Sequence, residues 1–120
     1  MDDLNPQLKQ MADASMVRNL DAQARAIWPQ EAPLIRRYGL GPDIRILDAG
    51  CGTAEISSRL AEMFPAATVL GVDILDHHLE FARTRFARLA PRLAFEHQSI
   101  FELPAADATG LRVISIDYTV

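Results

Sequence analysis

Asp48, Gly50, Gly52 and Glu55 stand close together in the run Arg45-Ile46-Leu47-Asp48-Ala49-Gly50-Cys51-Gly52-Thr53-Ala54-Glu55, and Asp73 follows 21 residues after Gly52. An apolar run enters an acid, then a glycine-rich turn, then the start of an amphipathic helix. Gly50 and Gly52 lack a Cβ, so the backbone can turn tightly and approach a ligand closely. Strand, glycine turn and helix in that order are how an α/β fold brings bare backbone against a nucleotide-like ligand.

The acids decide which ligand. A dinucleotide fingerprint needs a third glycine three positions after the second, and here that position is Glu55. A carboxylate at a helix start repels a pyrophosphate, and Asp48 adds to the repulsion. A phosphate loop of the Gly-Lys-Ser/Thr type is excluded, because no such triplet follows. A nicotinamide-dependent oxidoreductase is therefore a poor reading. A ligand with positive charge suits the loop better. S-adenosylmethionine carries an ammonium, a sulfonium and one carboxylate. Asp48 can receive the ammonium, and loop N–H groups the carboxylate. Asp73 lies near the offset of about 20 residues at which a βαβ unit places a ribose-binding acid. The plainer alternative for Asp73 is a turn or helix-capping residue.

Elements that would hold these residues are readable on both sides. Residues 7–20 form a loose helical pattern with Leu8, Met11, Met16 and Leu20 as apolar points, and 21–28 continue it until Pro29, which has no N–H for the ladder. Glu31 to Tyr38 reads as a second short helix stopped by Gly39. Gly41-Pro42-Asp43 is a turn. Ile44 to Ala49 is a strand. Glu55 to Phe64 is a helix with Ile56, Leu60, Met63 and Phe64 on one face, ended by Pro65. Thr68 to Val72 is a strand reaching Asp73. His77 to Leu89 is a helix with Leu79, Ala82, Phe86 and Leu89 inward, Arg83, Arg85 and Arg88 on a solvated face, and Asp76 as N-cap. Leu93 to Glu96 and Arg112 to Ile116 are further strands. Strands alternating with helices imply a parallel sheet with right-handed crossovers.

Ile46 through Ala54 resembles the first motif of the class I S-adenosylmethionine-dependent methyltransferases. Gly71-Val72-Asp73-Ile74 resembles the second block of that family, and Phe95 through Pro104 stands where its third, adenine-contacting block falls. The resemblance implies an α/β fold with a Rossmann-like parallel sheet of three to four strands and an N-terminal helical cap. Residues 1–40 would be the cap and 41–120 a partial methyltransferase domain. It implies S-adenosylmethionine as cofactor. Asp48 and the backbone of Gly50, Cys51 and Gly52 would hold the methionine part, and Asp73 the ribose. Ile74 would pack on the adenine, with Ser99 and Ile100 at its edge. Two departures stand out. Ala54 replaces the family's third glycine, where its methyl would crowd the ligand. Ser99 replaces an acid, which would weaken binding.

Other residues read more plainly. Cys51 is a small residue in a tight turn, with no neighbouring base to activate it. His77 and His78 are adjacent, so they do not share a helical face, and no metal-ligand spacing is present. Trp28 is a packing residue of the cap. The chain of 120 residues suits a single domain. Its net charge of −4 offers no footprint for nucleic acid. No apolar run is long enough to span a membrane, no signal peptide leads the chain, and one cysteine suits a cytoplasmic protein.

The family's sheet has more strands than this chain supplies, for only 16 residues follow Pro104. The segment Leu111 to Tyr118 reads as a divergent fourth strand, as the family's fifth strand with an internal segment missing, or as a frameshifted tail. The expected function is methyl transfer to a small-molecule acceptor, with no nameable general base. The alternative is a truncated, non-catalytic remnant that binds the cofactor or a partner chain. So few strands would leave an apolar edge, so marginal stability or homo-oligomerisation is expected.

Overall fold

The strand-forming runs of the chain assemble into one parallel sheet. The computed structural model describes residues 6–41, 43–99 and 111–114. In chain order these form helix α1 (Pro6–Arg37), strand β1 (Arg45–Ala49), helix α2 (Glu55–Met63), strand β2 (Thr68–Asp73), helix α3 (Asp76–Arg85), a 3₁₀ turn (Ala87–Leu89), strand β3 (Leu93–His97) and strand β4 (Leu111–Ile114). The order across the sheet is β3-β2-β1-β4, every pairing parallel. The expected α/β class and Rossmann-like sheet are therefore present, with an N-terminal helix.

Register explains the sheet's composition. Ile46, Val69 and Leu93 form one cross-strand row, and Asp48, Gly71 and Phe95 the next. The apolar members of these rows pack with Ile56 and Leu60 of α2 and with Leu79 and Ala82 of α3 in the main core. Leu47, Ala49 and Val72 form a second buried cluster, so β1 is buried on both sides, as a central parallel strand must be. Gly71 is required by this packing. A Cβ there would lie 2.9 Å from both Cys51 Sγ and Phe95 Cδ1.

Four expectations change. Pro29 does not interrupt the N-terminal helix: α1 runs through both Pro29 and Pro33. Both prolines are exposed, whereas Ala24, Trp28 and Ile35 pack on the core and Ala32 is buried on the same side. The carbonyls left without N–H partners thus face water, and burial of the opposite stripe holds the helix together. Second, Asp76 is not the N-cap of α3. Leu75 occupies that position, and Asp76 is in the first turn, where a carboxylate complements the helix dipole. Third, the helix ends at Arg85 rather than Leu89, and the chain tightens into the 3₁₀ turn. Fourth, the arginines of α3 and of the turn that follows it are exposed but engaged. Arg83 donates to the Phe95 carbonyl (2.9 Å), Arg85 faces Glu55 and Asp21, and Arg88 pairs with Glu62 (2.6 Å). The expected apolar face of α2 is present, and Trp28 packs on the core as read.

The segment from Leu111 lies directly beside β1, with Arg45 opposite Leu111 and Asp48 opposite Ile114. That is the position of a fourth strand across the point where the strand order reverses. Residues 115–116 of the expected strand, Pro42 of the expected turn, Ile100 and the rest of the third block to Pro104 lie outside the described residues, as do the side chains of Leu8 and Met11.

Candidate donor-binding site

The site forms where β1 and β2 end. After Ala49 the chain alternates into left-handed backbone three times, with φ of 74° at Gly50, 56° at Gly52 and 71° at Ala54. This alternation is the reason for glycine at every second position. An L-residue with a Cβ carries a penalty of about 1–2 kcal/mol there. Ala54 bears that strain at 0% exposure, its methyl buried in the main core. Its departure from glycine thus strains the backbone and fills the core, and does not crowd a ligand as expected.

The turn is tied to β2. Gly50 and Cys51 both donate to the Val72 carbonyl (2.8 and 2.9 Å), and Gly52 donates to Asp73 Oδ2 (2.9 Å). The three N–H groups expected to take a ligand carboxylate are therefore already engaged. The left-handed turns point them inward, so the loop offers close approach of bare backbone rather than free donors. Asp73 Oδ1 accepts from the Leu75 N–H at 2.9 Å. The half-buried carboxylate is thus clamped from both sides by backbone, and each oxygen keeps a second lone pair for a hydroxyl.

Beside it, Ile74 is 61% exposed, an apolar side chain at the rim. Its carbonyl lies 3.0 Å from His97 Nε2. The Gln98 N–H donates to the Asp73 carbonyl (3.0 Å), which brings half-buried Ser99 to the same end of the sheet. Asp73, Ile74, Ser99 and the glycine loop are thus gathered at the carboxyl ends of adjacent strands, where open α/β sheets bind ligands.

Asp48 lies beneath the loop. It is 1% exposed, and its Oδ2 accepts from Ser57 Oγ at 2.5 Å. Direct contact with an ammonium, as expected from sequence, is closed in this structure. Burial pushes its carboxyl up to about 7, against the Ser57 bond that lowers it, and the charges of Asp73 and Glu55 raise it further. Burial likewise pushes the Cys51 thiol up, helped by Asp48 and Asp73, so it stays protonated. Glu55 is also buried. It accepts from the Thr53 hydroxyl and faces Arg85 at 3.5 Å. Its repulsion of a pyrophosphate is therefore partly neutralised, and Asp73 carries the negative field, joined by Asp48 as it ionises around pH 7. The partners Ser57 and Arg85 had no signal in sequence, since the contacts form only when α2 and α3 fold against the sheet. Among the described residues, no group of three or more His, Cys, Asp and Glu could hold a metal ion, and no helix is long and apolar enough to cross a membrane.

Similarity to known proteins agrees with this geometry. Over 62 residues the chain is 44% identical to trans-aconitate 2-methyltransferase of Deinococcus radiodurans, a match covering 52% of this chain and 23% of that protein. Over 52 residues it is 38% identical to malonyl-[acyl-carrier protein] O-methyltransferase of Bacillus anthracis, covering 43% of this chain and 19% of the relative. The matched segment is thus under a quarter of either relative's length. Among solved structures, a coclaurine N-methyltransferase bound to N-methylheliamine and SAH shares the fold over 71% of this chain and 23% of its own, with a TM-score of 0.54 at 16% identity. The YcgJ protein of Bacillus subtilis does so over 61% of this chain and 31% of its own, with a TM-score of 0.52 at 20% identity. A family described as "Methyltransferase domain" matches residues 40–119, so the chain belongs to the methyltransferase-domain family.

Proposed function

We propose that this chain carries the donor-binding part of an S-adenosylmethionine-dependent methyltransferase that acts on a small-molecule acceptor in the cytoplasm. The observation that carries the reading is Asp73, whose two oxygens are oriented by the Gly52 and Leu75 N–H groups at 2.9 Å. A carboxylate held in that way accepts from two vicinal ribose hydroxyls without reorganising. Exposed Ile74 offers an apolar face to adenine, and Ser99 stands at its edge. The left-handed loop lets the methionine portion approach the backbone. Asp48 beneath it, once ionised, favours a cationic ligand, since little solvent screens its charge.

When bound, S-adenosylmethionine supplies a sulfonium-activated methyl group. The residues of the site bind and orient it, and such alignment accounts for much of the rate of a displacement. The names of the two curated relatives both contain an acyl or carboxylate acceptor, which favours a small acidic compound or acyl group as the methyl acceptor. A second reading is binding of the donor without turnover.

Calorimetric titration with S-adenosylmethionine, S-adenosylhomocysteine and NAD tests the proposal. Binding of the first two without NAD supports it, and binding of NAD alone overturns it. Bound donor with no methyl transferred to any carboxylate acceptor supports the second reading.

A further inference from the structure

Three elements that carry no sequence motif in common converge on the glycine loop. Leu20 of α1 places its Cδ1 3.9 Å from where a Cβ on Gly52 would stand. One residue on, Asp21 Oδ1 faces Arg85 Nη2 of α3 at 3.4 Å, while its Oδ2 pairs with Arg25 at 2.9 Å. The other nitrogen of the same guanidinium, Nη1, faces Glu55 Oε1 at 3.5 Å. Glu55 opens α2 and accepts from the hydroxyl of Thr53, a fully buried residue of the loop. Phe86 lies 5.1 Å beneath the guanidinium and limits its movement.

We propose that Arg85 is a positioning residue for the donor loop, coupling the docking of α1 at Leu20–Asp21 to the loop geometry at Thr53–Glu55. The inference rests on the loop's being the donor site. The planar guanidinium suits this role because it presents separate N–H groups to two acceptors at a fixed angle. One acceptor belongs to the N-terminal helix and the other to the loop. Glu55 is buried, so removing its cation leaves the Thr53 hydroxyl to compensate its charge and shifts Thr53 with it. Donor binding, which orders the loop, then tightens α1, and a docked α1 favours the donor by the same factor.

The test measures S-adenosylhomocysteine affinity by calorimetry and backbone hydrogen exchange at residues 18–26, in the full chain and four variants. Arg85→Gln is expected to weaken binding about tenfold, the scale of one hydrogen bond to a charged group, and to speed exchange in that segment. Arg85→Lys restores part of both. Asp21→Asn speeds exchange and weakens binding by a smaller factor; it lies on the half-buried surface of α1 and carries the test if Arg85→Gln does not fold. Arg88→Gln, on the adjoining turn but paired with Glu62, changes neither. In the wild type, S-adenosylhomocysteine slows exchange at 18–26; in Arg85→Gln it does not. Unchanged affinity in Arg85→Gln and Asp21→Asn, or ligand binding that leaves α1 exchange unaltered in the wild type, overturns the coupling while leaving the donor site intact. Absence of any binding to the wild type overturns the proposed function and this inference together.

Discussion

Replacing Asp48 by asparagine should make the ligand-free protein more stable and its donor site worse. The carboxyl is buried under the loop with Ser57 as its hydrogen-bond partner, and its ordinary value of 3.8 is pushed up to about 7. From about pH 4 to about pH 7 the folded chain therefore holds a proton that the unfolded chain has released, so stability falls as pH rises. The contribution is fully present below 3.8 and gone above about 7. At about 1.4 kcal/mol per pH unit, the loss is roughly 4 kcal/mol by pH 8, a large share of the about 5–15 kcal/mol that holds a typical domain folded. The substituted amide keeps the size of the side chain and an acceptor for Ser57 but never ionises. Urea unfolding of both proteins at pH 5 and pH 8 measures the difference, and contributions from all other groups cancel between them. The stability gap in favour of Asp48→Asn should widen by about 2–3 kcal/mol between those two pH values, since two of the pH units lie between pH 5 and the raised value of about 7. A gap that stays constant, or one that narrows, contradicts an Asp48 carboxyl kept protonated by burial. A cationic ligand should pull the Asp48 carboxyl back down. S-adenosylmethionine affinity should therefore rise from pH 6 to pH 8 in the wild type and stay flat in the variant.

Other perturbations follow from the packing. Gly71→Ala puts a Cβ 2.9 Å from Cys51 Sγ and Phe95 Cδ1, and should cost about 1–3 kcal/mol in chemical denaturation, as overpacking does; an unchanged midpoint contradicts the assigned contact. Ala54→Gly relieves about 1–2 kcal/mol of left-handed strain but loses a buried methyl worth about 0.8 kcal/mol and frees the unfolded chain by about 0.5–1 kcal/mol. Its stability should thus stay within about 1 kcal/mol of the wild type, and a loss of twice that contradicts the left-handed assignment. Cys51, buried and held as a thiol, should react with an exogenous disulfide only after denaturation; rapid labelling of the native protein contradicts its placement.

The loop, Asp73 and the alternation of strands and helices were legible because each depends on local chemistry. A left-handed turn selects glycine, a buried parallel strand selects an apolar run, and a βαβ unit fixes the spacing to the second acid. What could not be read depends on packing. Pro29 suggested a break, but it and Pro33 lie on the water-facing side of a helix held by its other face. Asp76 offered a cap, yet the helix begins one residue earlier, with the Leu75 carbonyl accepting from the His78 and Leu79 N–H groups. Asp48 looked like a ligand contact, and only the fold shows it beneath the loop with Ser57 nine residues on. Arg85 read as solvated because its acceptors, Glu55 and Asp21, are 30 and 64 residues away in sequence.

Under the proposed function, the glycine loop and Asp73 together take S-adenosylmethionine. Amide chemical shifts of the labelled protein during titration with S-adenosylhomocysteine test it most directly. Saturable shifts are expected at residues 50–55 and 73–75, abolished in Asp73→Ala while Gly71 and Val72 keep their native positions. Saturable binding with shifts confined to other parts of the sheet, or undiminished binding to Asp73→Ala, would contradict it.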